Sequence, residues 1–149
     1  MTRARPLVCV VAASVAAAGC GGGGRAPLRP EEVTANDHRA QLLSGCLPAG
    51  DGTRITCIDR PAEPIRAALP ATAGDRIRLR LGLAARDAAV HVLRAGELVG
   101  TPAGIPGDAG ALDRAFTLER AARPGDVVVI FLRFRRGGNA TVAFVLRRR

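Results

Sequence analysis

The chain is short of the side chains on which most site chemistry rests. Its 149 residues include no Lys, no Tyr and no Trp, and the aromatic content of 3% is four Phe. Base stacking on aromatic platforms, which sustains binding of single-stranded nucleic acid, has little to work with. Sugar stacking is disfavoured for the same reason. Ser occurs only at positions 14 and 44, and His only at 38 and 91. A Ser/His/acid triad would have to use Ser44, which lies in no strand–turn–helix nucleophile motif. His91 sits between Val90 and Val92, the pattern of a sheet surface or edge, and His38 stands beside Asp37, where a single neighbour pair makes no site. In the loop expected over 100–113, Asp108 and Asp113 lack the alternating acidic spacing of a calcium site. No catalytic residue, metal, cofactor or small-molecule substrate is expected, although this loop is the best location for a variable binding surface.

What the chain has in quantity is Arg. Twenty-two basic residues against 13 acidic give a net charge of +9, and every basic residue is Arg. Together with 18 Gly and 10 Pro, this is the composition of a high-GC coding sequence, so charge alone does not select a partner. Arg76, Arg78 and Arg80 share one face of an expected strand. Arg133, Arg135, Arg136 and Arg147 to Arg149 gather near the last hairpin and the C-terminus. These arginines are either contacts to an anionic surface or a solvated, edge-protecting face. The composition favours the second reading, and nucleic acid is not an expected partner.

The N-terminus reads as an export signal. Arg3 and Arg5 precede an apolar run of 12 residues, Leu7 to Ala18, which is the layout of a signal-peptide core. That run is too short to span a bilayer, which takes about 20 residues. The stretch Ala17-Ala18-Gly19-Cys20 resembles the lipobox of bacterial lipoproteins, although Ala17 stands where Leu is usual. The resemblance covers the first 20 or so residues. It implies cleavage before Cys20 and acylation of that thiol, giving a lipid anchor on the outer face of the cell membrane or facing the periplasm. The competing reading is ordinary cleavage after Ala18, which leaves an unmodified Gly19 and a soluble secreted protein. Residues 1–19 are thus a signal peptide and 20–30, with Gly21 to Gly24, a tether. Without Arg3 and Arg5 the mature chain has 20 basic and 13 acidic residues, or +7.

Two of the four cysteines are spent on the leader and its end, Cys9 and Cys20. The remaining pair, Cys46 and Cys57, reads as a disulfide in an exported chain, since neither has His or a further Cys at zinc-ligand spacing.

Residues 31–45 carry the one helical signature, with Pro30 before Glu31-Glu32 and Gly45 as a stop, and a short helix or linker is expected there. Beyond Thr53 the apolar period is two. Strands are expected over 54–58, 65–69, 77–83, 90–92 and 98–99, around Phe116-Leu118, and over 127–134 and 141–146. The run 127–134 is apolar enough to be covered on both faces. Gly137-Gly138 as a two-residue turn would set Phe131 opposite Phe144 and Val129 opposite Leu146. Centring the 46–57 segment on Asp51-Gly52 pairs the two cysteines but leaves Pro48 facing Ile55, so a looser stapled loop is expected instead. The whole predicts a mainly β protein, with residues 46–149 as an antiparallel sandwich of about seven strands. That layout looks like the Ig-like sandwiches of bacterial surface proteins, on architecture alone. The expected function is a non-catalytic binding domain held at the membrane, or an accessory subunit of an envelope complex. A secreted hydrolase is the remote third reading.

Overall fold

The computed structural model describes residues 33–48, 55–59 and 63–149. Every regular element among them is a β-strand. In chain order these are β1 (Thr34–Ala35), β2 (His38–Arg39), β3 (Gln41–Pro48), β4 (Ile55–Asp59), β5 (Ala68–Pro70), β6 (Arg76–Arg94), β7 (Glu97–Leu98), β8 (Ala103–Pro106), β9 (Ala111–Thr117), β10 (Val127–Phe134) and β11 (Asn139–Arg147). The fold is therefore mainly β, and all pairings are antiparallel except β5 beside β11.

One strand organises the rest. β6 runs for 19 residues, and its two halves belong to different sheets. The first half pairs with β9 on one side and β1 on the other. The second half pairs with β10, β8 and β7, and the sheet continues through β11 and β3 to β4. Between the halves the register slips, at Leu81/Ala84 against β9 and at Arg133/Phe134 against Ala85. Such irregularities let a strand bend, and Gly82, Ala84 and Ala85 supply little bulk to oppose it. Strands expected at 77–83 and 90–92 are thus one strand carried through a bend.

The bend turns both halves of β6 back over a common core. Ile77, Leu79 and Leu81 point inward from the first half, Ala88, Val90 and Val92 from the second. They meet Leu112, Phe116 and Leu118 from one sheet and Val128, Ile130, Leu132, Val142, Phe144 and Leu146 from the other in a single buried cluster. The period of two explains these faces, since alternate side chains leave a strand on opposite sides.

Residues 31–45 are not helical where they are described. Asn36 and Asp37 both take positive φ, 45° and 66°, in a two-residue turn that pairs Ala35 with His38. Asn and Asp tolerate that conformation better than other side-chain-bearing residues. Gly45, expected to end a helix, lies in β3, where a Cβ would come within 2.7 Å of the Asn139 carbonyl oxygen. Its role is close approach to β11.

The last hairpin is also shifted. Val127 lies opposite Val145 and Phe131 opposite Thr141, a register three residues from the expected one. The loop is Arg135-Arg136-Gly137, with Gly137 at φ 89° and its N–H donated to the Phe134 carbonyl at 3.2 Å. An odd shift exchanges faces, which leaves Phe131 42% exposed while Phe144 is fully buried. The strand is covered on both faces only in its first half, where Val128, Val129 and Ile130 are all buried. The loop expected over 100–113 contains β8 and the start of β9, and the strand expected over 65–69 is confined to 68–70.

Cys46 and Cys57 form a disulfide between β3 and β4, directly opposite each other with Cα atoms 3.9 Å apart. The ladder is regular and runs on through Leu47–Thr56 to Pro48–Ile55, correcting the looser loop. So close a Cα pair marks a non-hydrogen-bonded position, and two residues on the same kind of position recurs. Pro48 therefore owes the ladder no N–H. Replacing both cysteines by Ser should lower the unfolding free energy by about 3 kcal/mol, the chain-entropy contribution of a loop this size. Urea denaturation under non-reducing conditions measures it. Gly45→Ala should also destabilise the fold, read as a lower urea midpoint.

Candidate functional site

The leader, the tether and Cys20 lie outside the described residues, so the candidate surfaces are those of the β domain. Arg78 and Arg80 project from the outer face of the first half of β6. Arg78 donates twice to Asp113 of β9, from Nε at 2.6 Å and from a terminal nitrogen at 2.5 Å. Arg80 reaches Asp37 at 3.1 Å and Asp113 at 3.7 Å. Arg76, on the same face, has no carboxylate partner among the described residues. An open cleft of about 670 Å³ lies beside it, lined by Arg76, Arg78, Asp113, Arg114 and Ala115. Arg114 in turn is paired with Asp108.

Arg133 is held across the sheet by Asp87, with two hydrogen bonds of 2.7 and 2.6 Å. Arg135 donates to the Asp108 carbonyl at 2.8 Å, and Arg136 is exposed with no carboxylate partner among the described residues. Arg135 and Arg136 sit on the hairpin before β11, whereas Arg147 to Arg149 follow at its other end. Nine residues of extended strand, about 30 Å, separate the two groups. The arginines that look contiguous in sequence are divided between opposite ends of the domain.

The histidines are apart. His38 is exposed on β2, while His91 lies on the outer face of β6 with its ring edge-on to Phe131, centroids 5.0 Å apart. Ser44 is on β3, three strand spacings from β6 across β11 and β10. At about 4.8 Å per spacing their strands are roughly 14 Å apart, which puts Ser44 and His91 beyond any hydrogen bond. Among the described residues, no three or more His, Cys, Asp or Glu gather as metal ligands would. Around His91 the outer face is apolar: Leu93, Val127, Val129, Phe131, Ala143 and Val145 occupy it across three strands.

Two features are not legible along the sequence. The first is Asp126, a charged residue buried at 3% exposure. Arg94 donates to its two oxygens at 2.9 and 2.8 Å, and the Arg123 N–H adds a third bond at 2.8 Å. Arg94 also donates to the Ala121 carbonyl, so this one guanidinium ties β6 to the whole 121–126 turn. The second is a group of arginines on that turn and its neighbours. Arg120, Arg123, Arg147 and Arg148 are exposed, and none has a carboxylate partner among the described residues. The triplet Arg147–Arg149 was visible in sequence, but its proximity to 120–123 depends on backbone bonds from Gly125 to Leu146 and from Leu146 to Asp126.

Hydrogen bonds to arginine hold several carboxyls below their ordinary range: Asp113 through Arg78, Asp87 through Arg133 and Asp126 through Arg94. Asp75 is lowered chiefly by the Thr72 N–H. Asp113 and Asp75 are open to water, so their pairs add little to stability. Asp126 is different because it is itself buried, so its charge depends on the hydrogen bonds from Arg94 and the Arg123 N–H. Comparison with protein-family models, with curated proteins and with solved structures finds no match to this chain.

A carboxyl whose acidity is raised by folding stabilises the folded state above its unfolded pKa of about 3.9 and loses that contribution as the pH falls through the folded value. Asp126→Asn should therefore lower stability by about 2 kcal/mol at neutral pH. It should also flatten the decline below about pH 4, because the variant has no carboxyl at position 126 to take up a proton on unfolding there. Urea midpoints at neutral pH and between about pH 5 and 2.5 test both statements.

Proposed function

We propose that this chain is an exported, lipid-anchored envelope protein whose β domain binds another envelope component and performs no chemistry on it. The observation that carries the reading is the run of 12 residues from Leu7 to Ala18 that ends in the stretch Ala17-Ala18-Gly19-Cys20. A thiol next to small residues is the group that such processing acylates. A diacyl pair with a further N-acyl chain anchors firmly where a single chain does not. The Cys46–Cys57 disulfide agrees with an oxidising compartment. The binding role is supported by a rigid two-sheet scaffold with polar, arginine-bearing ends.

An accessory subunit is the second reading, and the outer face around Phe131 favours it. Phe131 is 42% exposed and Leu98 47%, on a sheet face they share with His91 and several aliphatic side chains. A partner packing there would cover them. The hydrolase reading has little behind it, since Ser44 and His91 stand on strands three spacings apart.

Intact mass spectrometry of the chain expressed in a bacterial host tests the anchor. The expected product begins at Cys20 and carries acyl mass, and Cys20→Ala moves the protein from the membrane fraction to the soluble one. An unmodified N-terminus at Gly19 overturns the proposal.

A further inference from the structure

The domain has two ends, and its charges are not neutralised equally at both. One end is built from 71–76, 117–126 and 146–149. Backbone bonds tie these segments together: Gly74 N–H to the Leu118 carbonyl, Leu118 N–H to Asp75, Ala71 N–H to Arg147 and Gly125 N–H to Leu146. Seven arginines stand here: Arg76, Arg94, Arg120, Arg123, Arg147, Arg148 and Arg149. Four carboxylates accompany them, and three are already engaged. Asp126 accepts from Arg94 and the Arg123 N–H. Asp75 accepts from the Thr72 N–H and pairs with Arg149 at 3.3 Å. Glu119 accepts from the Thr101 and Ala121 N–H groups. The fourth, Glu97, stands opposite Arg94 across the β6–β7 turn. That leaves Arg76, Arg120, Arg123, Arg147 and Arg148 exposed on adjoining segments. Arg76 also borders the 670 Å³ cleft, where Arg78 is paired with Asp113 and Arg114 with Asp108.

We propose that this end binds a linear polyanion other than nucleic acid, a polymer bearing phosphate or carboxylate groups at repeated intervals. Guanidinium groups match both chemistries through paired N–H donors. Five of them spread over a surface, without a shared enclosed pocket, suit many weak contacts with a repeating ligand rather than one tight contact with a small anion. A bilayer surface fits less well. Thr34 lies opposite Arg80 and Ala35 opposite Leu79, so the chain enters the described domain at Val33 from the side of the β6 bend. Arg76 lies at the other end of that half-strand. On the anchored reading, which this choice of partner rests on, the tether joins the bend end and the basic end is left free.

Binding of the exported chain to long-chain inorganic polyphosphate and to polygalacturonate, at about 100 mM salt, tests the proposal. The triple variant Arg76→Gln/Arg120→Gln/Arg147→Gln should weaken binding by about tenfold or more, and wild-type affinity should fall steeply between 50 and 200 mM salt. Arg86→Gln/Arg135→Gln/Arg136→Gln removes the same charge from the bend end and should change affinity by less than about threefold. Thermal melts of both triple variants check that each is folded. Preference for polyphosphate or for polygalacturonate identifies the anionic group. Equal losses from the two triples, no binding to either polymer, or binding only to phosphatidylglycerol vesicles or to single-stranded DNA each overturn the proposal. Acyl mass at Cys20 without polymer binding sinks this inference alone, and polymer binding by an unacylated chain sinks the anchor alone.

Discussion

The bend in β6 is the constraint on which the structure depends. A flat strand of 19 residues would extend about 60 Å and present two long faces, neither of which a domain of this size could cover. Bent at Gly82 to Ala85, it serves two sheets at once and brings its inward apolar residues onto one core. The other strands then fall into place by pairing with one half or the other, and β10 and β11 extend the second sheet toward the stapled β3–β4 pair. The bend also decides the ends of the molecule. It brings residues near Arg76, Arg123 and Arg147 into one neighbourhood although they span half the sequence.

The charge pattern follows from that geometry. Where strands pair along the faces, Arg and Asp fall opposite one another and neutralise in place, as Arg133 with Asp87 and Arg80 with Asp113 do. At the end where segments turn, Asp126 and Asp75 also hold the backbone and each pairs with one arginine, so the other five arginines there are left without carboxylates. Stability and surface charge are therefore linked at the same turn: the buried carboxylate that fixes 121–126 is unavailable to the exposed guanidiniums around it.

Much of the β character was legible because it rests on local alternation. Ile77, Leu79 and Leu81 announce an inward face, and Val127 to Phe134 a strand with its observed bounds. The Cys46–Cys57 pair was legible by elimination. Three things were not. The helix expected over 31–45 rested on Pro, Glu and Gly signals, which Asn36-Asp37 outweighed by forming a left-handed two-residue turn. The last hairpin's register was set three residues away from the Gly-Gly reading because Gly137 closes a three-residue loop. Pro48 argued against a ladder only on the assumption of a hydrogen-bonded position, and the disulfide makes it the other kind.

The candidate surface divides along the same line. By itself the sequence determined the fold class, the pairing of the cysteines and the resemblance of the first 20 residues to a lipoprotein leader. All three depend on residue type and near-neighbour spacing. Only the tertiary structure decided which arginines stand free, because neutralisation depends on cross-strand partners 35 to 46 residues away, such as Asp113 for Arg78 and Asp87 for Arg133. It also separated Arg135 and Arg136 from Arg147 and Arg148, and joined the latter to Arg120 and Arg123. Charge proximity is a property of space, and in a sheet built from long-range pairings, spacing along the chain does not report it.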